Sequence, residues 1–171
     1  MKIKLSEHIC VTSKCLKSGG HSNIVLAPKG KAKGVSYILE NDKKIFISYY
    51  DLDDCAYPIK NKPAGFKLCD YVVVLHNDKK NKKEETYIWI EVKKTSDFDF
   101  CCNQILNSYN NAVNYGEDIT HYARIVLGKI NKNNISSDST KRLKTVFKNR
   151  FDYSSQVYDK DTSSKLYTNK N

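Results

Sequence analysis

The chain has 171 residues, of which 40% are hydrophobic and 28% charged, which fits one globular domain over residues 1–171 and excludes an intrinsically disordered chain. Lysine and arginine number 29 against 19 acidic residues, so the formal net charge is +10. Such an excess of positive charge predicts a polyanionic partner, with nucleic acid ahead of an anionic membrane; a lysine-rich composition without such a partner is the alternative.

The N-terminal segment, residues 3–17, predicts a short amphipathic helix that Gly19 and Gly20 would end. Potential zinc ligands lie close together in the same region, namely His8, Cys10, Cys15 and His21. Their spacing matches no common zinc pattern and lacks a Cys-x-x-Cys pair. Packed cysteines are therefore the favoured interpretation, and a zinc-containing regulatory protein is the alternative.

Neither membrane insertion nor export is expected from the sequence. No apolar run approaches the ~18 residues of a transmembrane helix, and Met1–Leu5 lacks the apolar core of a signal peptide. We therefore expect a cytoplasmic, intracellular protein with reduced cysteines and no membrane partner.

The first half of the chain predicts strands. Residues 35–39 and 45–50 have strand character, and the polar turn between them predicts a hairpin. The acidic segment 51–54 ends the second of these strands, and a solvated cap is favoured there over a metal site. The continuous apolar run at 71–75 indicates a central strand that is buried on both faces, and residues 86–93 predict the next strand after a lysine-rich turn.

The second half of the chain alternates helices and strands. Residues 99–115 predict a helix that Ser96 or Asp97 can cap and that Gly116 can end. After it the sequence predicts a strand at 121–127, a basic helix at 137–150, and a polar tail from about residue 152 that frays apart from a small strand at 156–158. A strand, a helix and a further strand in this order indicate a crossover in a mixed sheet of an α/β protein.

Candidate catalytic residues stand at the ends of the two central strands. Asp70 precedes the strand at 71–75, and Glu91 and Lys93 end the strand at 86–93. Because side chains alternate along a strand, Glu91 and Lys93 share one face. Tyr87 and Trp89 lie on that face too, where stacking on a base and packing beside the site are both open.

Two carboxylates and a lysine form a set that suits hydrolysis of phosphodiesters. A phosphodiester repels hydroxide through its own charge, and Mg²⁺ relieves that repulsion and lowers the pKa of a bound water. Mg²⁺ keeps several waters, so the carboxylates of Asp70 and Glu91, with the backbone carbonyl of Val92, are sufficient ligands. Lys93 can orient the attacking water or neutralise charge in the transition state.

The order Asp70, strand, spacer, Glu91-Val92-Lys93 resembles the Asp…Glu-x-Lys signature of the PD-(D/E)xK nuclease superfamily. That superfamily includes restriction endonucleases, archaeal Holliday-junction resolvases and RecB-type exonuclease domains. The resemblance covers about residues 35–128. It implies a restriction-endonuclease-like αβββαβ core with a central mixed sheet, to which the C-terminal basic helix is an addition.

The resemblance also implies roles for individual residues. The acid pair Asp70 and Glu91 would bind Mg²⁺, with Mn²⁺ as a substitute, and Lys93 would assist the nucleophilic water. Gln104 matches a substrate-facing glutamine of the following helix, and Glu7 is the candidate for an extra acid on the first helix. Lys94 lies directly beyond the cluster and is a candidate phosphate contact.

The resulting hypothesis is a Mg²⁺-dependent endonuclease that hydrolyses phosphodiester bonds in DNA. Cleavage of a duplex needs two active sites, so a homodimer is expected. The alternative is a non-catalytic nucleic-acid-binding or interaction module that retains the nuclease fold.

Overall fold

The computed structural model describes residues 16–26, 35–42, 44–52, 66–79, 82–94, 97–111, 119–129, 135–154, 156–162 and 165–168. Within them the strands are β1 (Leu16–Gly20), β2 (Ile24–Leu26), β3 (Ser36–Glu40), β4 (Phe46–Asp51), β5 (Tyr71–Lys79), β6 (Lys82–Lys93), β7 (Ile119–Leu127), β8 (Phe151–Ser154), β9 (Gln156–Thr162) and β10 (Lys165–Thr168). The helices are α1 (Phe98–Asn111) and α2 (Ser137–Phe147). Neither of these two helices is long and apolar enough to cross a membrane.

A mixed six-stranded sheet forms the centre of the fold, with the strand order β1-β4-β5-β6-β7-β8. Strands β1, β4, β5 and β6 are antiparallel neighbours, whereas β6, β7 and β8 run parallel. Helix α1 connects β6 to β7 and helix α2 connects β7 to β8, because a parallel pair needs a crossover. The predicted α/β class with a mixed central sheet is therefore confirmed.

Both helices pack on one face of this sheet. Local sequence defines their ends, since Asp97 accepts a hydrogen bond from the backbone nitrogen of Phe100 (3.1 Å) and Ser136 accepts one from Ser139 (3.0 Å). The core between helices and sheet includes side chains at helical spacing on α1, namely Phe98, Cys101, Cys102, Ile105 and Leu106. The cysteine thiols described in this core, those of Cys69, Cys101 and Cys102, are unpaired and buried.

A second sheet covers the opposite face of the central sheet. It has four strands in the order β10-β9-β3-β2, and the β3/β9 pair is parallel. A second hydrophobic core joins the two sheets. It includes Ile24, Leu26, Tyr37 and Leu39 from the four-stranded sheet, Val35 directly before β3, and Val73, Ile88 and Ile90 from the central sheet.

Several expectations from the sequence are wrong. The strands at 35–39 and 45–50 form, but they make no hairpin: β3 pairs with β2 and β9, whereas β4 pairs with β1 and β5. The tail from residue 152 does not fray where it is described, since it forms β8, β9 and β10. Long-range pairing overrides the polar composition of these strands.

The N-terminal helix and the central hairpin also differ from expectation. Residues 16 and 17 and the two glycines expected to end a helix belong to β1, while residues 3–15 lie outside the described ranges. The hairpin of β5 and β6 extends to Lys79 and Lys82, which are paired, so the connection is shorter than the lysine-rich turn expected between the strands at 71–75 and 86–93.

Candidate active site

The two acids and the lysine converge on the helix-covered face of the central sheet. Asp70 directly precedes β5, and Glu91 and Lys93 lie within the last three residues of β6. The antiparallel register pairs Tyr71 with Ile90, which brings the start of β5 against the end of β6. The alternation of side chains then directs Glu91 and Lys93 to the face that α1 covers.

Two reciprocal hydrogen bonds hold the carboxylates in place. The backbone nitrogen of Asp70 donates to Oε2 of Glu91 at 2.9 Å. The backbone nitrogen of Val92 donates to Oδ2 of Asp70, also at 2.9 Å. Each acid therefore uses one oxygen to bind the backbone beside the other acid, and this fixes the orientation of both carboxylates.

The second oxygen of each carboxylate faces the ammonium group of Lys93. Nζ of Lys93 lies 2.7 Å from Oε1 of Glu91 and 3.8 Å from Oδ1 of Asp70. The Glu91 side chain is 0% exposed, whereas that of Lys93 is 28% exposed. The site thus has two buried acids at its base and a lysine at its mouth.

Burial makes this cluster retain protons. It raises the pKa of the Glu91 carboxyl from 4.5 to about 8; the charge of Asp70 adds to the rise, and Lys93 opposes it. Burial alone would lower the pKa of Lys93, but its hydrogen bond to Glu91 and the charges of Glu91 and Asp70 outweigh that effect and raise it. A cation that replaces protons here would have its binding strengthened by rising pH.

Helix α1 positions the segment that leads into Asp70. Nε2 of Gln104 donates to the carbonyl of Leu68 at 2.6 Å, and Oγ of Ser108 accepts from the backbone nitrogen of Cys69 at 2.7 Å. Gln104 is only 2% exposed, and its Oε1 is a buried atom with no hydrogen-bond partner among the described residues. In this structure Gln104 supports the segment before Asp70, and its contact with substrate stays a prediction.

Sequence reasoning did not identify Ser108 as part of this support. The signal was present, since Ser108 follows Gln104 by four residues and therefore lies on the same helical face. Nothing in the sequence, however, shows which backbone groups that face meets.

The donor set fits a hard divalent cation that retains water. The part of the chain that the structure describes holds no group of three or more histidine, cysteine, aspartate or glutamate residues able to bind a metal. Two carboxylates are enough for Mg²⁺ or Mn²⁺ when waters complete the shell, and Oδ1 of Asp70 and Oε1 of Glu91 converge on one positive group. The Val92 carbonyl as a ligand stays a prediction, and Glu7 lies outside the described residues.

The remaining candidate residues, which are a lysine, two aromatic residues and an acidic residue at the end of β4, do not join the cluster. Lys94 is exposed directly after β6, next to the mouth of the site. Tyr87 and Trp89 are 0% and 1% exposed, so both pack in the core and offer no face to a base. Asp51 ends β4 and is only 5% exposed, so the solvated cap expected there is wrong for this residue; residues 53 and 54 are outside the described ranges.

Three histidines have structural partners. Nε2 of His76 lies 3.0 Å from Oγ of Ser48, and its Nδ1 lies 3.4 Å from Glu85. Nδ1 of His121 accepts from Nε1 of Trp89 at 3.3 Å, and burial, with a smaller contribution from Arg150, lowers the pKa of His121 to about 4.

The third histidine, His21, belonged to the zinc alternative. Its Nδ1 lies 2.6 Å from the carbonyl of Lys44, and its ring contacts Phe46 edge-on. The other members of that cluster, His8, Cys10 and Cys15, are outside the described residues, so the zinc alternative stays a prediction.

Comparison with known proteins adds no relative to this picture. No protein-family model, no curated protein and no solved structure matches the chain.

Proposed function

We propose that the protein is a metal-dependent nuclease that hydrolyses phosphodiester bonds in DNA. The observation that carries the proposal is the convergence of Asp70, Glu91 and Lys93. Two buried carboxylates are held by reciprocal backbone hydrogen bonds, and one partly exposed ammonium faces both of them. Burying two carboxyl groups side by side raises the pKa of Glu91, and a pKa shifted in this way is typical of a site retained for chemistry.

The residues have separate roles in the proposed reaction. Asp70 and Glu91 would hold Mg²⁺, which would supply Lewis acidity to a bound water and to the phosphate. The backbone hydrogen bonds keep the two carboxylates pre-organised, so little reorganisation is needed when the substrate arrives. Lys93 would orient the attacking water through Nζ and stabilise negative charge on the phosphate oxygens.

Charge supports a nucleic-acid substrate. The net charge of +10 favours a polyanion, and exposed basic side chains of α2 and its C-terminal turn add to it, namely Lys141, Arg142, Lys144, Lys148 and Arg150. A homodimer with two sites remains the expected form for duplex cleavage, and single-strand cleavage needs one site only.

One observation favours a second candidate, a non-catalytic nucleic-acid-binding module. All four carboxylate oxygens of the acid pair face a partner within the protein, either a backbone nitrogen or the Lys93 ammonium. An acid–lysine cluster that is satisfied in this way could serve only to tie β5 to β6. In that case removal of the acids would change stability and leave nucleic-acid binding intact.

Cleavage assays separate the two candidates. Plasmid and single-stranded DNA are incubated with Mg²⁺ or with EDTA, using the parent protein, Asp70→Asn and Lys93→Ala. Asp138→Asn is the matched control, because Asp138 is an exposed acid on α2. Cleavage that needs Mg²⁺, survives Asp138→Asn and is lost by at least about a hundredfold in the two site variants supports the nuclease. Cleavage that is unaffected by either site variant would refute the assignment.

A further inference from the structure

Phe100 is a partly buried aromatic residue whose ring lies beside the Lys93 ammonium at the mouth of the acid cluster. It lies in the first turn of α1, where the neighbouring Phe98, Cys101 and Cys102 are core residues. Phe100 is only partly buried and is not among the side chains packed against that core. The Phe100 ring therefore borders the polar site.

The ammonium groups of two lysines lie over the ring. Nζ of Lys67 lies 5.7 Å from the ring centroid, and Nζ of Lys93 lies 5.8 Å from it. The Lys93 ammonium is the one that contacts Glu91, so Phe100 stands directly beside the proposed reaction centre. Lys67 is exposed, and its carbonyl is held by Asn107 of α1 at 3.3 Å. Helix α1 therefore positions both the ring and the lysine beside it.

This arrangement matches the chemistry of a nucleotide. A base can stack on an aromatic face, and an ammonium group beside the ring can contact the phosphate attached to that nucleotide. A cation over the ring also adds a favourable electrostatic contribution. In a duplex both faces of each base are covered by its neighbours, so only an unstacked base can use such a ring.

We propose that Phe100 and Lys67 form a nucleotide subsite that selects single-stranded or frayed nucleic acid next to the scissile phosphate. The position of the subsite beside a scissile phosphate rests on the proposed function, whereas binding of the nucleotide does not need cleavage. The base takes the place of the exposed Lys67 ammonium over the Phe100 ring, and Lys67 contacts the phosphate of that nucleotide. Lys93 keeps its place beside the acid pair, where the reacting phosphate would bind.

Equilibrium binding tests the subsite without any hydrolysis. A fluorescently labelled single-stranded oligonucleotide and its duplex are titrated with protein in EDTA, and the anisotropy gives Kd for each. Phe100→Ala is compared with Phe46→Ala as a matched control. Phe46 is 44% exposed, its ring contacts His21 and His76, and it lies on β4 beside His76 of β5, away from the start of β5 where the acid cluster lies. Phe100→Ala is expected to weaken single-strand binding by about fivefold or more and to lower the preference for single strands over duplex. Phe100→Trp is expected to retain both.

Salt dependence isolates the lysine. Each phosphate contact to a single strand contributes about 0.7 to the slope of log K against log salt concentration. Lys67→Ala is therefore expected to reduce that slope by about 0.7, whereas Phe100→Ala leaves it unchanged. Lys44→Ala removes one exposed charge shortly before β4, outside the basic surface of α2, and serves as the control for net charge.

The outcomes distinguish this inference from the nuclease proposal. Equal single-strand affinity in Phe100→Ala and Phe46→Ala, an unchanged slope in Lys67→Ala, or a parent protein that does not bind single strands would overturn the subsite. Urea unfolding of Phe100→Ala supplies a further check, since a ring with a structural role only would lower stability and leave Kd unchanged. Loss of the subsite leaves the cleavage results standing, and failure of cleavage leaves the binding results standing.

Discussion

Replacing Glu91 by glutamine tests the electrostatic description of the site. Glutamine keeps an oxygen that can accept the hydrogen bond from the backbone nitrogen of Asp70 and removes the ionisable group. In the folded parent the pKa of Glu91 is raised from 4.5 to about 8, so the native state holds a proton that the unfolded state releases. The stability that this proton confers is complete below about pH 4.5 and is lost as the pH rises through about 8.

The size of the effect follows from the same two values. At about 1.4 kcal/mol per pH unit, a pKa that rises from 4.5 to about 8 corresponds to a ceiling of about 5 kcal/mol. Loss of the Lys93 contact reduces the benefit of the substitution. We therefore expect Glu91→Gln to be more stable than the parent by about 1–3 kcal/mol near pH 9, and no more stable near pH 5.

Urea unfolding followed by circular dichroism measures this difference across the pH range. Asp138→Asn, at an exposed position of α2, is the control for removing a carboxylate. The same Glu91→Gln protein should lack Mg²⁺-dependent cleavage. A stability difference between Glu91→Gln and the parent that does not change between about pH 5 and about pH 9 would refute the reasoning.

Three further predictions follow from other contacts. Gly128→Ala places a Cβ 2.3 Å from the backbone oxygen of Lys94, so we expect a loss of about 1–3 kcal/mol in urea unfolding, whereas Gly20→Ala, with nothing within 4 Å, should be nearly neutral. The pKa of His121 is lowered from 6.5 to about 4, so the stability that its neutral ring contributes is lost as the pH falls from about 6.5 to about 4. Replacing it with glutamine (His121→Gln) should remove up to about 3 kcal/mol of the pH dependence of the unfolding free energy over that range. Mg²⁺ should raise the Tm of the parent but not that of Asp70→Asn, and equal shifts would contradict the metal site.

Local sequence patterns account for the elements nearest the site. The alternation along β6 places Glu91 and Lys93 on one face, and a short connection to β5 brings Asp70 against them, so their meeting follows from adjacent strands alone. The caps and helical spacing of α1 and α2 are local as well. These features depend on residues that are close in the chain, which is why periodicity predicts them.

Distant pairing is what local patterns did not predict. Strand β3 pairs in parallel with β9, although Ser36 and Gln156 are far apart in the chain. That pairing places β3 in a separate sheet, removes it from the expected hairpin with β4, and orders a polar tail. No local signal encodes a partner at such a separation, because strand pairing depends on which segments the whole fold brings together.

The sequence by itself determined the chemistry available at this site: two acids and a lysine at neighbouring strand ends. Only the tertiary structure decided their environment. Helix α1 and the sheet bury Glu91 and raise its pKa, while Gln104 and Ser108 hold the segment that carries Asp70. The same packing leaves Phe100 at the mouth with the ammonium groups of two lysines over its ring. The burial of a residue depends on which helices and strands pack over it, and only the folded protein determines that packing. The alternation of side chains along a strand, by contrast, follows from the local sequence.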